Sequence, residues 1–248
     1  MRWGGSDNLN QRSGRIRTIK LTPDHVARVH RTLQDTGPGP GVELHNDTDY
    51  AEWVEKIIRT HPAPDLPTQL FAYGSLIWKA ELTHLAEEPA LARGRHRSFC
   101  LRMTRFRGTP EQPGLMMALD RGGQCRGVIY ELPAEALDAQ LDRLFRREFT
   151  VKPINSMPRW LRVETAAGSR WALGFVMNRT SPYYAGRLDP VDVAKVLAKS
   201  CGHVGTGAEY LMNTVQQLEA RGIRDSGLWR LQELVAREID TIHGLAVH

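Results

Sequence analysis

Glu148 completes a run of helical periodicity. Leu137, Leu141, Leu144 and Phe145 recur at three- and four-residue intervals. At about 100° per residue they form one apolar stripe roughly 100° wide. Glu148 falls near the middle of that stripe, while Arg143 and Arg146 lie on the opposite side. A carboxylate aimed at a core is costly unless it is paired. Burial raises its pKa, which suits a general base working near neutral pH. The alternative is that the helix has ended by Phe149 and that Glu148 turns to solvent or pairs with an arginine.

A second candidate lies in "LFAYGSLIWK", Leu70 to Lys79. An apolar strand runs into Gly74-Ser75 and then turns apolar again. Glycine lets a ligand approach the backbone closely. Backbone N–H groups and a hydroxyl at a strand end can bind a carboxylate or a developing oxyanion. Ser75 lacks the GxSxG setting of a nucleophile elbow, and no His/Asp partner stands out. A plain strand-to-turn transition is the competing reading.

Other motifs point away from chemistry. "CGHVGTGAEY" is glycine-rich before a helix, but a helix precedes it and no Lys-Ser/Thr follows, so it reads as a capped helix–turn–helix connection and not a phosphate loop. Arg102, Arg105 and Arg107 fit a solvated strand end better than an acidic-substrate site. Cys100, Cys125 and Cys201 are far apart with no CxxC pair, and the nine histidines show no HExxH spacing. No metal site and no cofactor are expected.

The elements that must position these residues follow from pattern and punctuation. Thr22-Pro23 opens a short helix to about Leu33, and residues 48–60 form an amphipathic one. Candidate strands are Gln69–Tyr73, Leu91–Arg102, Gly114–Leu119, Gly127–Leu132, Trp160–Glu164 and Trp171–Met177. The helix Pro133–Arg147 interrupts them. Asp189-Pro190 opens a helix to about Ser200, the box Thr206-x-x-Glu209 opens another to about Arg221, and a last one covers Ser226–Ile242. The expected fold is α+β, a mostly antiparallel sheet or barrel with helices outside. Residues 1–20 read as a flexible basic tail, 21–68 as a helical extension and 69–248 as the catalytic domain.

Composition bounds the function. The 248 residues carry 33 basic and 28 acidic side chains, a formal charge of +5. The tail alone holds Arg2, Arg12, Arg15, Arg17 and Lys20 against Asp7, which leaves the rest of the chain nearly neutral. Nucleic-acid binding by the folded part is therefore not expected. No apolar run approaches a membrane span, and the N-terminus lacks the apolar core of a secretory signal, so a cytoplasmic location is expected.

These segments together resemble the ChaC-type gamma-glutamylcyclotransferases. The resemblance begins at "FAYGSLIWK". It continues through "GRHRSFCLRMTRFRGTPEQPGLMMALD", "CRGVIYEL", "LFRREF" and "NRTSPYYAG", and ends in "GTGAEYLMNTVQQLEARGIRDSGLWRLQELV". It runs from about Phe71 to the end, in order. The chain departs from the family pattern at Ala72, where glycine is frequent, and after Glu148, where it reads "FTVKPINSMPRW". The resemblance implies a gamma-glutamylcyclotransferase-like fold, a small barrel with flanking helices. It implies cleavage of glutathione, with Glu148 as acid/base. It also implies a binding loop of Ala72, Tyr73, Gly74, Ser75, Leu76 and Ile77, joined by Arg107 and Tyr184. The partner expected is a gamma-glutamyl small molecule. A cyclotransferase for other gamma-glutamyl compounds and a non-catalytic binding protein on the same fold are the alternatives.

Overall fold

The computed structural model describes residues 18–245. Most of the basic tail lies outside the described residues. The first helix, α1 (Pro23–Val29), is shorter than its sequence suggests. Then come β1 (Glu43–Leu44) and α2 (Asp47–Arg59). Asn46 and Asp49 cap α2 reciprocally: each side chain accepts from the other's backbone N–H, at 3.0 and 2.8 Å. That box satisfies two donors left open at the helix start.

The centre is a closed five-stranded barrel with the order β2-β4-β3-β6-β7. Its strands are β2 (Gln69–Ala72), β3 (Ala86–Met103), β4 (Gly114–Glu131), β6 (Ser156–Thr165) and β7 (Gly168–Met177). Most neighbours are antiparallel, but β2 closes the barrel parallel to β7, with Leu70 opposite Leu173. Leu70, Phe71, Leu119, Ile129, Leu173 and Phe175 are buried at its centre. All four residues of β2 are buried, which accounts for the apolar run Leu70–Ala72, while Gln69 at its start donates to Glu131 Oε2 at 3.1 Å.

The sequence reading split β4 into Gly114–Leu119 and Gly127–Leu132. The strand is in fact continuous, paired with β3 along a long hairpin. Gly122 and Gly123, with φ of 104° and 64°, sit at a register shift opposite Gly94. Left-handed backbone of this kind favours glycine, and here it forms a bulge that bends the strand without ending it.

Helix α3 (Ser75–Trp78) follows β2 after two residues, so the segment is a strand-to-helix turn and not the plain strand-to-turn transition of the competing reading. Helix α4 spans Leu137–Glu148, starting later than its sequence suggests, and leads into β5 (Val151–Lys152), which pairs with β1. Asp189 caps α5 (Pro190–Leu197). The glycine-rich connection after it contains a tight hairpin, β8 (Cys201–Gly202) with β9 (Gly205–Thr206), before α6 (Gly207–Ala220). Asp225 caps α7 (Ser226–Ile242). The three cysteines are buried and unpaired. No helix among the described residues is long and apolar enough to cross a membrane.

Candidate active site

A cavity of about 410 Å³ opens beside the barrel. Tyr73, Gly74, Ser75 and Leu76 form one wall, and Glu148 lies in the lining with Arg107 and Tyr210. The turn is set by local hydrogen bonds. Ile77 N–H donates to Gly74 C=O at 2.9 Å and Lys79 N–H to Ser75 C=O at 2.8 Å. The N–H groups of Ser75 and Leu76 belong to the first turn of α3, where the helix itself offers no acceptor.

The turn rests on α6. A methyl group on Gly74 would stand 2.8 Å from the Tyr210 hydroxyl and 3.0 Å from the Met117 terminal carbon. Any side chain there would force the Tyr210 hydroxyl to shift. Trp78 lines the cavity, donates from its indole to Thr214 Oγ1 at 3.2 Å and packs edge-to-face with Tyr210. Ile77 is buried behind the turn. From the barrel side, Arg97 donates to Tyr73 C=O at 2.7 Å and to Asp225 at 3.0 Å. Its side chain is 3% exposed.

Glu148 is the last residue of α4, and its side chain is 16% exposed. The apolar stripe of the helix packs on the core, carrying Glu148 inward with it. Burial pushes its carboxyl up to about 7, and Arg147, with Nε 3.4 Å away, only partly offsets this. The guanidinium of Arg147 is shared: it donates to Lys79 C=O, to Ala80 C=O at 3.1 Å and to Glu81 Oε2 at 3.4 Å. One arginine therefore ties the end of the turn to the end of the Glu148 helix. The charge of Glu148 reaches two phenols. Burial, reinforced by Glu148, holds Tyr73 well above its ordinary value and Tyr210 up at about 12, with the Ser75 backbone and hydroxyl opposing the latter. Both phenols are thus neutral donors at physiological pH.

The three arginines of "RMTRFRGTP" have separate fates. Arg102 is exposed. Arg105 pairs with Asp35 through two hydrogen bonds, at 2.7 and 2.5 Å. Arg107 is buried instead of solvated. Its Nη1 donates to Thr206 C=O and to Glu209 Oε2, each at 2.6 Å. Thr206 accepts from Glu209 N–H as a cap should, but the Glu209 carboxylate goes to Arg107 and does not close the box. Ala72 and Ile77 are buried beside the turn and do not line the cavity, and neither does Tyr184. Tyr184 donates to Asp120 at 3.1 Å, where Arg179 also binds that carboxylate. Sequence reasoning passed over Tyr210, Glu209 and Arg147. The signal for the first was a tyrosine on the buried face of a helix that follows a glycine-rich connection.

A closed five-stranded barrel with flanking helices is the fold of known gamma-glutamylcyclotransferases. The crystal structure of a yeast gamma-glutamylcyclotransferase specific to glutathione superposes with a TM-score of 0.61 at 21% identity, covering 69% of this chain and 96% of that one. Residues 68–238 match the family model described as ChaC-like protein, and the chain belongs to that family. It is 37% identical over 163 residues to the Escherichia coli (strain K12) glutathione-specific gamma-glutamylcyclotransferase, covering 65% of this chain and 70% of the relative. It is 26% identical over 160 residues to the human glutathione-specific gamma-glutamylcyclotransferase 1, covering 62% of this chain and 70% of the relative.

Proposed function

We propose that this chain is a gamma-glutamylcyclotransferase that converts glutathione to 5-oxoproline and cysteinylglycine. The observation that carries the reading is the placement of Glu148 and the Tyr73–Leu76 turn in one cavity. The reaction is intramolecular. The α-amine of the substrate attacks its own γ-carbonyl, a C–N bond closes the five-membered ring, and the bond to the cysteine nitrogen breaks. Holding the chain folded for attack contributes much of the acceleration.

Glu148 takes the proton that the α-ammonium must lose, then returns it to the leaving nitrogen. A carboxyl near pH 7 is poised for both transfers. The N–H groups of Ser75 and Leu76 receive either the oxyanion or the α-carboxylate. Arg107 lines the cleft with its charge already paired to Glu209, and offers its remaining N–H groups to a substrate carboxylate. Ser75 is a contact and not a nucleophile. A cytoplasmic location fits this reading, since glutathione keeps thiols reduced there.

The test is release of 5-oxoproline from glutathione and from several gamma-glutamyl dipeptides. The wild-type protein should consume glutathione, with kcat/KM rising as pH passes through about 7 because Glu148 must be ionised to act. Glu148→Gln should bind glutathione normally and lose about 10²- to 10⁴-fold in turnover, the usual contribution of general acid–base catalysis. Near-wild-type turnover by that variant would remove Glu148 from the mechanism. A covalent adduct trapped on Ser75 would replace the mechanism altogether.

A further inference from the structure

The segment before the family match encloses the chain on the C-terminal side of Glu148. The backbone continues from Glu148 into Phe149, which is 1% exposed. Tyr50 of α2 donates its hydroxyl to Phe149 C=O at 3.1 Å, a buried contact across 99 residues of sequence. The Phe149 ring is met by His45 at 5.4 Å and by Tyr50 and Trp53 at 5.9 Å. The next residue accepts as well: His45 N–H donates to Thr150 C=O at 3.0 Å. Beyond it, β1 pairs with β5, and Lys152 binds Glu43 at 3.1 Å and Asp49 at 2.7 Å.

Glu148 thus has a helix on one side and, on the other, a backbone whose carbonyls at Phe149 and Thr150 are taken by residues 43–53, while the Phe149 ring also packs on Phe145 at 5.3 Å and Phe175 at 6.4 Å. A carboxylate at a helix end would ordinarily be free to fray outward. Here the following residue is an aromatic anchor whose carbonyl is already engaged. We infer that Tyr50 is a positioning residue for Glu148: its hydroxyl, through the Phe149 carbonyl, fixes the direction in which the Glu148 carboxylate enters the cleft. The inference rests on the assignment of Glu148 as the acid/base.

Tyr50→Phe removes one oxygen and keeps the ring. A small misplacement of a catalytic group can cost up to about 10²-fold, and loss of this one tether should lower kcat roughly tenfold with KM for glutathione unchanged. A carboxylate-labelled NMR titration, with Glu148→Gln to assign the signal, reads the same displacement without turnover. The Glu148 midpoint should move by half a pH unit or more. Wild-type kcat and an unmoved midpoint would overturn the inference, whatever happens to the melting temperature. Should Tyr50→Phe not accumulate, Lys152→Met decides. It loosens the same strap one step further out and should lower kcat two- to threefold at constant KM, whereas wild-type kcat would overturn the inference. If Glu148→Gln itself keeps turnover, the catalytic assignment has failed, and the titration still reports whether Tyr50 positions the carboxylate.

Discussion

On one side of the cleft, the Gly74–Ser75 turn is held by groups from the barrel and the C-terminal helices: Arg97, Tyr210, Thr214 and Asp225. On the other, Glu148 stands between its own helix and a strap of residues 43–53. The first wall is made wholly within residues 68–238, which match the family model; the second draws on residues before them. The proposed substrate cradle is thus built from one unit, while the proposed acid/base adjoins backbone held partly from outside it. Damage to the cradle should act on substrate binding and on global stability. Damage to the strap should act on turnover.

The largest expected effect is on the cradle. Arg97→Ala leaves Asp225 without its buried partner and Tyr73 C=O without a donor. Breaking a buried pair by removing one partner costs about 3–5 kcal/mol. Urea titration should register a loss of that order, together with a higher KM.

Next is Glu148→Gln, which should have the opposite sign in stability. The folded carboxyl is raised from 4.5 to about 7. The ionised form is therefore disfavoured by the fold, and wild-type stability falls as pH rises from about 4.5 through about 7. One pH unit is worth about 1.4 kcal/mol. The variant should be more stable than wild type by roughly 3 kcal/mol at pH 8 and indistinguishable from it near pH 4. Equal stability at both pH values would mean that the carboxylate is solvated and that the second wall is not buried at all.

Gly74→Ala tests the close approach of the turn to α6. The methyl must displace the Tyr210 hydroxyl, and overpacking of this kind costs about 1–3 kcal/mol. KM should rise more than kcat falls. The smallest effect separates the buried tether of the strap from its surface. Asp47 pairs with Arg146 at 2.7 Å, but its side chain is 90% exposed, and exposed pairs contribute little. Asp47→Ala should leave kcat and melting temperature unchanged. A loss matching that of Tyr50→Phe would make the strap a diffuse electrostatic clamp instead of a single hydrogen bond.

Features of the cleft that depend on local pattern were legible in the sequence. The inward aim of Glu148 follows from four apolar residues on one helix face, and the exposed backbone of the turn from glycine after a buried strand. Features that depend on distant partners were not. Arg107 looked solvated because Glu209, which pairs with it, lies on another helix after a separate hairpin. Tyr50 looked like one more apolar position on an amphipathic helix, since nothing local reveals that its hydroxyl meets Phe149 C=O. The continuity of β4 was hidden because a bulge and a turn use the same glycines, and only a facing strand tells them apart.

The parallel closure of the barrel also bears on how the protein reaches its native state. Leu70 of β2 must meet Leu173 of β7, and the Tyr73 hydroxyl donates to Phe175 C=O at 2.9 Å. Such pairings pay their loop-closure entropy before any contact rewards it, which makes folding slow relative to helical bundles. A nascent chain that has already emerged through the Gly74–Ser75 turn and Glu148 still lacks β7, Tyr210 and Asp225. The turn and Glu148 are synthesised early, and the cleft arises late, as it can form only after most of the polypeptide is available to fold.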